Sequence, residues 1–349
     1  MSGHPEPSDP RGGYVYILAL AAIAILALVL AGAYAVQRVS SDGAARLLDQ
    51  SGLERDLRAA QASAIHLLLT APRGELTVNA GGVPNPDILE GGLIEEGDPI
   101  SARGEPRRVE INGRTMIVRL ISTQGLIGLD PDDPRGVQLF LAQSGFRDSE
   151  ASRLAARLAD YVDGDELRRL GGAEAGDYPE DRPPPANVPL RAPREMCSAL
   201  GWEVLPLCED DARLMDLYFT VAPGATSHPS FMPDYVVDLL LENAPGMVIR
   251  RQSLNRSTPR SFADLGFDGW DALHAGDFGY GPIGTEFLIL THEPRAGLVL
   301  AARVRLTAGD VASPYQTVFD FVIGGERVEQ EFSLTDIEDL EAFPLPEPP

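Results

Sequence analysis

Five carboxylates are gathered in one short segment: Asp160, Asp163, Asp165, Glu174 and Asp177. Carboxylate oxygens are hard ligands, and a loop that brings several of them together can hold calcium. Asp163, Asp165 and Glu174 take the first, third and twelfth places of an EF-hand-like count. The fifth and sixth places are Leu167 and Arg168, so the segment is not an EF-hand. The same residues also suit a solvated acidic loop or a set of helix caps, and spacing alone leaves these readings open. A second acidic group, Asp130, Asp132 and Asp133, reads as the N-cap of the helix that follows.

Other chemistry is sparse. His66, His228, His274 and His292 are scattered, with no nucleophile elbow, no His-Glu-x-x-His and no phosphate-binding glycine loop. No catalytic residue is assigned, and the chain does not read as an enzyme. The two cysteines, Cys197 and Cys208, would close a short loop as a disulfide in an exported domain and would be buried thiols in a reducing compartment. The N-terminal segment described below favours the disulfide. The net charge of −23 comes from 52 acidic residues against 29 basic ones, and every basic residue is arginine. Such a chain repels nucleic acid and anionic lipid and suits calcium or basic partners.

The elements that must position the carboxylates alternate in kind. Helix-compatible sequence runs to about Thr70 and ends at Ala71-Pro72. Leu76–Asn79, Arg108–Ile111 and Thr115–Ser122 read as strands, the last two joined by the hairpin signal Asn112-Gly113. Short helices are expected over Arg135–Ser144, Ser149–Val162, Pro193–Leu200, Asp210–Phe219 and Pro233–Glu242, with Gly171–Pro189 as loop. Strands are expected again at Glu286–Thr291, Leu298–Leu306, Gln316–Ile323 and Arg327–Phe332, before an acidic, proline-rich tail that reads as disordered. The order predicts an α+β fold: a long N-terminal helix, an antiparallel sheet and a large inserted all-helical domain.

The N-terminus carries Arg11-Gly12-Gly13 and then an uncharged apolar run from Tyr14 to Val36. About 23 such residues come to roughly 35 Å of helix, which predicts a single membrane span. The glycines precede the apolar run, so cleavage at Gly12 or Gly13 would leave that helix on the mature chain. The short leader and the cysteine pair place the N-terminus in the cytoplasm and the bulk outside.

Several motifs together resemble the K-type minor pseudopilins of bacterial type II secretion, the general secretion pathway protein K family. They are Arg11-Gly12 before Gly13-Tyr14-Val15, and Leu158-Ala159-Asp160-Tyr161-Val162-Asp163-Gly164-Asp165. Gly172-Ala173-Glu174, Tyr178, the prolines from Pro183 to Pro189, Pro193-Arg194-Glu195-Met196 and Phe219-Thr220-Val221 follow. Ser227-His228-Pro229-Ser230-Phe231 departs from the family's usual stretch.

The resemblance implies a pilin-like fold with these parts: a prepilin leader at 1–12, a transmembrane helix at 13–36, and a first pilin-like part at 37–123. An inserted α-helical domain would span 124–255, the C-terminal strands 256–333 and the acidic tail 334–349. It further implies cutting by a prepilin peptidase at Gly12 or Gly13, methylation of the new N-terminus, and assembly with I-type and J-type minor pseudopilins. The chain would then cap the tip of a periplasmic pseudopilus, anchored in the bacterial inner membrane by its single span. Calcium in some members points to Asp160, Asp163, Asp165, Glu174 and Asp177 as ligands. The fifth mature residue is Ile17 or Leu18 rather than the usual glutamate, which suits a subunit with none ahead of it. The alternatives are a minor pilin of a type IV pilus and a membrane-anchored periplasmic hydrolase.

Overall fold

The computed structural model describes residues 11–74, 77–81, 97–130, 134–209, 212–221, 228–241, 284–295, 297–307, 310, 312–334 and 336–345. Residues 1–10 of the expected leader, all of 242–283 and the last residues 346–349 lie outside these. Contacts divide the chain into two compact units, Met1–Arg55 and Asp56–Pro349. The helix α1 (Arg11–Thr70) begins in the first unit and ends in the second.

In the first unit Leu18, Leu20, Ile23, Ile25, Leu26 and Leu28 are exposed on α1. Among the described residues no helix is long and apolar enough to cross a membrane. The expectation of a span at 13–36, and of an inner-membrane location resting on it, is therefore corrected.

In the second unit, α1 buries Leu57, Ala60, Ala64, Leu67 and Leu68, a stripe at helical spacing. Its partner is a five-stranded antiparallel sheet, Arg107–Ile111 (β3), Arg114–Ser122 (β4), Glu286–His292 (β7), Leu298–Leu306 (β8) and Tyr315–Gly324 (β9) in that spatial order. Thr291 Oγ1 donates to the Leu57 carbonyl at 3.2 Å, and Arg58 pairs with Asp320 at 2.8 Å. The hairpin β3 (Arg107–Ile111) and β4 (Arg114–Ser122) turns at Asn112-Gly113, with φ of 52° and 79°. Positive φ at both central residues makes the turn twist with its strands, which is why Asn-Gly is chosen there. Next come β7 (Glu286–His292), buried along its whole length, and β8 (Leu298–Leu306). The edge strand β9 (Tyr315–Gly324) is largely exposed. A small pair, β1 (Thr77–Ala80) with β2 (Asp98–Ser101), stands apart from this sheet.

Between β4 and β7 the described chain is mostly helical. It forms α2 (Arg135–Gln143), α3 (Asp148–Val162), the short α4 (Pro206–Glu209) and α5 (Met215–Tyr218), and α6 (Asp234–Leu241). The expected helices at Pro193–Leu200 and Asp210–Phe219 are instead 3-10 turns and one short helix. β5 (Ile127–Gly128) pairs in parallel with β6 (Phe219–Thr220) and ties the start of this block to the segment after α5. Helices and sheet share one core. Leu139, Leu158, Trp202 and Met215 belong to the same buried cluster as Ile121, Leu288 and Val299. Arg303 on β8 is 1% exposed; its guanidinium donates to Glu286 on β7 and to Thr220 on β6. Cys197 and Cys208 are joined, with S–S at 2.01 Å.

Two expectations change at the C-terminus. The expected strand Arg327–Phe332 is the helix α7 (Glu326–Phe332). Val328 and Phe332, four apart, are both buried, so one helical face packs while the acidic residues between face out. The tail expected to be disordered docks along β3. The Glu341 carbonyl accepts from Arg108 N–H at 3.0 Å, Phe343 N–H donates to the Arg108 carbonyl at 2.7 Å, and Phe343 is buried. The Glu341 carboxylate pairs with Arg107 at 2.6 Å.

Candidate metal centre

The carboxylate loop hangs from α3. That helix forms because Ala151, Leu154, Ala155, Leu158, Tyr161 and Val162 repeat at helical spacing and are buried. Asp148 and Glu150 in its first turn favour its positive end. Trp202 Nε1 donates to the Leu154 carbonyl at 2.9 Å and fixes the helix against the core. The helix stops at Asp163, whose backbone is extended, with φ −77° and ψ 162°.

From there the chain doubles back on α3. Asp165 Oδ1 accepts from Leu167 N–H at 2.7 Å, which closes a local turn. Arg169 N–H donates to Asp160 Oδ2 at 3.2 Å. Gly171 has φ of 82°, a conformation that favours glycine. Glu174 then opens a 3-10 turn, Ala175–Asp177, with its own N–H donating to Asp177 Oδ2 at 3.0 Å.

Three of the five expected ligands come together. Carboxylate oxygens of Asp163, Asp165 and Glu174 lie within 4.8 Å of one another. Oxygens so spaced can all approach one ion at about 2.4 Å, a calcium–oxygen distance. Glu174 is 7% exposed, and neither of its carboxylate oxygens has a hydrogen-bond partner; Asp163 Oδ1 is also buried without one. Burial pushes the Glu174 carboxyl above its ordinary range, and the charges of Asp160, Asp163, Glu166 and Asp165 add to the rise. A buried carboxylate lacking donors is costly. A hard divalent cation would supply the missing charge and coordination, so the donor set fits calcium.

The other two expected ligands are engaged elsewhere. Asp160 is fully buried and bound by Arg169, whose Nη1 donates to Asp160 Oδ1 at 2.9 Å and also to Asp163. Asp177 is taken by Arg168 at 3.0 Å and by the Glu174 N–H. The Glu174 N–H most strongly, and then Arg168 and Arg157, hold Asp177's carboxyl below its ordinary range. Arg168 and Arg169 lie inside the loop, and spacing gives no sign of where their guanidinium groups turn.

The remaining sequence candidates are structural or undescribed. Asp132 and Asp133 lie outside the described residues, and Pro134 rather than an aspartate stands at the N-cap of α2. His228 Nδ1 accepts from Ser230 N–H at 3.2 Å. His292 is fully buried, contacts the Glu293 carbonyl at 2.7 Å and lies 3.4 Å from Arg119 Nε. His274 lies outside the described residues. Gly12 and Gly13 fall in the first turn of α1.

Comparison with known proteins bears out the resemblance read from the motifs. Residues 117–204 match the family model described as type II secretion system (T2SS), protein K. That span runs from β4 to Val204 and contains the whole carboxylate loop. Comparison with curated proteins gives no match. Among solved structures, the chain is similar to one in the GspK-GspI-GspJ complex from the enterotoxigenic Escherichia coli type 2 secretion system. The identity is 15% and the TM-score 0.45, covering 80% of this chain and 99% of that one.

Proposed function

We propose that this chain is a minor pseudopilin of the type II secretion protein K kind, which acts by assembly rather than by chemistry. The match of residues 117–204 carries the reading. The α+β architecture agrees with it. A helical block stands between β4 and β7, and the end of α1 from Asp56 onward lies on the sheet. The pilin-like character of the sheet and the role of the helical block as an inserted cap belong to the same proposal. So do trimming at Gly12 or Gly13 with methylation of the new N-terminus, and association with I-type and J-type minor pseudopilins at a pseudopilus tip. Co-expression with those two partners tests it: the three chains should co-purify as one complex, and a chain that elutes alone would refute the assembly role.

Calcium belongs to the proposal as well. Asp163, Asp165 and Glu174 would hold the ion, and the orphaned Glu174 carboxylate supports this. The ion would neutralise the loop and fix it to α3; it takes no part in a reaction. Calcium should raise the melting temperature relative to chelator, and Glu174→Gln should abolish that difference.

A further inference from the structure

Arg169 contacts the carboxylate cluster from within the loop. Its Nη1 donates to Asp160 Oδ1 at 2.9 Å and to Asp163 Oδ2, and its backbone N–H reaches Asp160 Oδ2. Asp163 thus has one oxygen held by a guanidinium, and its other oxygen is buried and without a partner. Glu174, on the returning chain, in turn feels the charges of Asp160 from α3, Asp163 at its end, and Asp165 and Glu166 from the loop. Arg168 is occupied by Asp177. A metal on Asp163, Asp165 and Glu174 would therefore share a carboxylate with an existing positive charge.

We propose that Arg169 is an internal cation that sets the affinity of this site: it bridges Asp160 and Asp163 to hold the loop without metal, and it weakens a divalent cation's hold on Asp163. The proposal rests on the calcium reading above. Two effects follow from one side chain. The bridge ties the loop back to α3 in the absence of metal. The charge opposes a second cation a few ångströms away; the arginine side chain is 42% exposed, so solvent screens part of that repulsion. The guanidinium suits the first role because its planar donors reach two carboxylates at once.

The test is calorimetric calcium titration of the full chain, with melting in calcium and in chelator. Arg169→Gln should bind calcium about tenfold or more tightly. It should also melt lower than the parent in chelator, so its calcium-induced shift should be larger. Arg169→Lys keeps the charge without the two-carboxylate bridge. Its affinity should stay within about threefold of the parent, and its calcium-induced shift should still grow. Calcium affinity unchanged or weakened in Arg169→Gln overturns the proposal, as does a lysine variant that tightens as much as the glutamine one. If Arg169→Gln folds only with calcium, the holding role is supported. If it folds under neither condition, Arg169→Lys decides, and a calcium shift equal to the parent's overturns the proposal. A parent that binds no calcium refutes the calcium reading itself, an outcome distinct from any failure of the arginine variants.

Discussion

Gly172 lies against the carboxylate of Asp160 so closely that a Cβ at this glycine would stand 1.8 Å from Asp160 Oδ2. Asp160 cannot give way, because it is fully buried and held by Arg169. The glycine is what lets the returning chain pass beneath the end of α3. Gly172→Ala should therefore destabilise the fold by about 2 kcal/mol and shrink any calcium-dependent rise in melting temperature. Urea unfolding with and without calcium measures both; a variant matching the parent would show that the loop repacks freely.

His292 gives the fold an acid sensitivity with a defined sign. Burial, and then the charge of Arg119, push its pKa from 6.5 to about 3. The folded value lies below the unfolded one, so the unfolded chain binds the extra proton between them. The contribution of the neutral ring is complete above pH 6.5 and is lost as pH falls toward 3, by about 1.4 kcal/mol per unit. His292→Gln should flatten the decline in unfolding free energy between pH 6.5 and 4.5 relative to the parent. Parallel curves would show that other groups set the acid response.

The buried guanidinium of Arg303 couples the helical block to the sheet through Thr220 and Glu286. Arg303→Met should cost about 3 kcal/mol, because among the described residues Glu286 then keeps Arg305 alone as an ion partner. Adding Glu286→Gln to it should cost much less than Glu286→Gln does alone. A double-mutant cycle in guanidinium chloride measures that coupling, and additive losses would mean the two side chains act independently.

The Cys197–Cys208 link closes a short loop beside the buried Trp202. Replacing both cysteines by serine should lower unfolding free energy by about 3 kcal/mol through the freed unfolded chain. The same loss should appear in the parent under reductant. An unchanged denaturation midpoint in both would show that local packing alone fixes this loop.

The sequence and the structure agree best where the signal is local. Asn112-Gly113 marks its hairpin because only a few residues accept two positive φ angles in a row. The apolar runs of β7 and β8 mark buried strands at nearly their observed ends. Agreement fails where distant partners decide. The stretch at Arg327–Phe332 has residues that suit a strand, but the pockets waiting for Val328 and Phe332 are one helical turn apart. The tail has the composition of a disordered segment, yet Arg107 and Arg108, far away in the chain, provide its partners. At the metal centre the sequence offered five carboxylates, and the structure brings three of them, Asp163, Asp165 and Glu174, together. The use of Asp160 and Asp177 by arginines depends on rotamers that no spacing encodes. The N-terminal apolar run read as a span on length alone, whereas among the described residues no helix is long and apolar enough to cross a membrane.

The pairing of β4 with β7 has a consequence in time. Ser122 and Phe287 are neighbours across the sheet, but roughly 160 residues separate them along the chain. At about 5–20 residues per second of synthesis, β4 waits on the order of ten seconds or more for the strand that covers it. Until then the β3–β4 hairpin has a bare apolar flank and an open row of backbone donors and acceptors. The nascent chain is thus most exposed to mispairing during that interval, and a holding factor acting on the newly made β4 would do more for its yield than one acting on the finished protein.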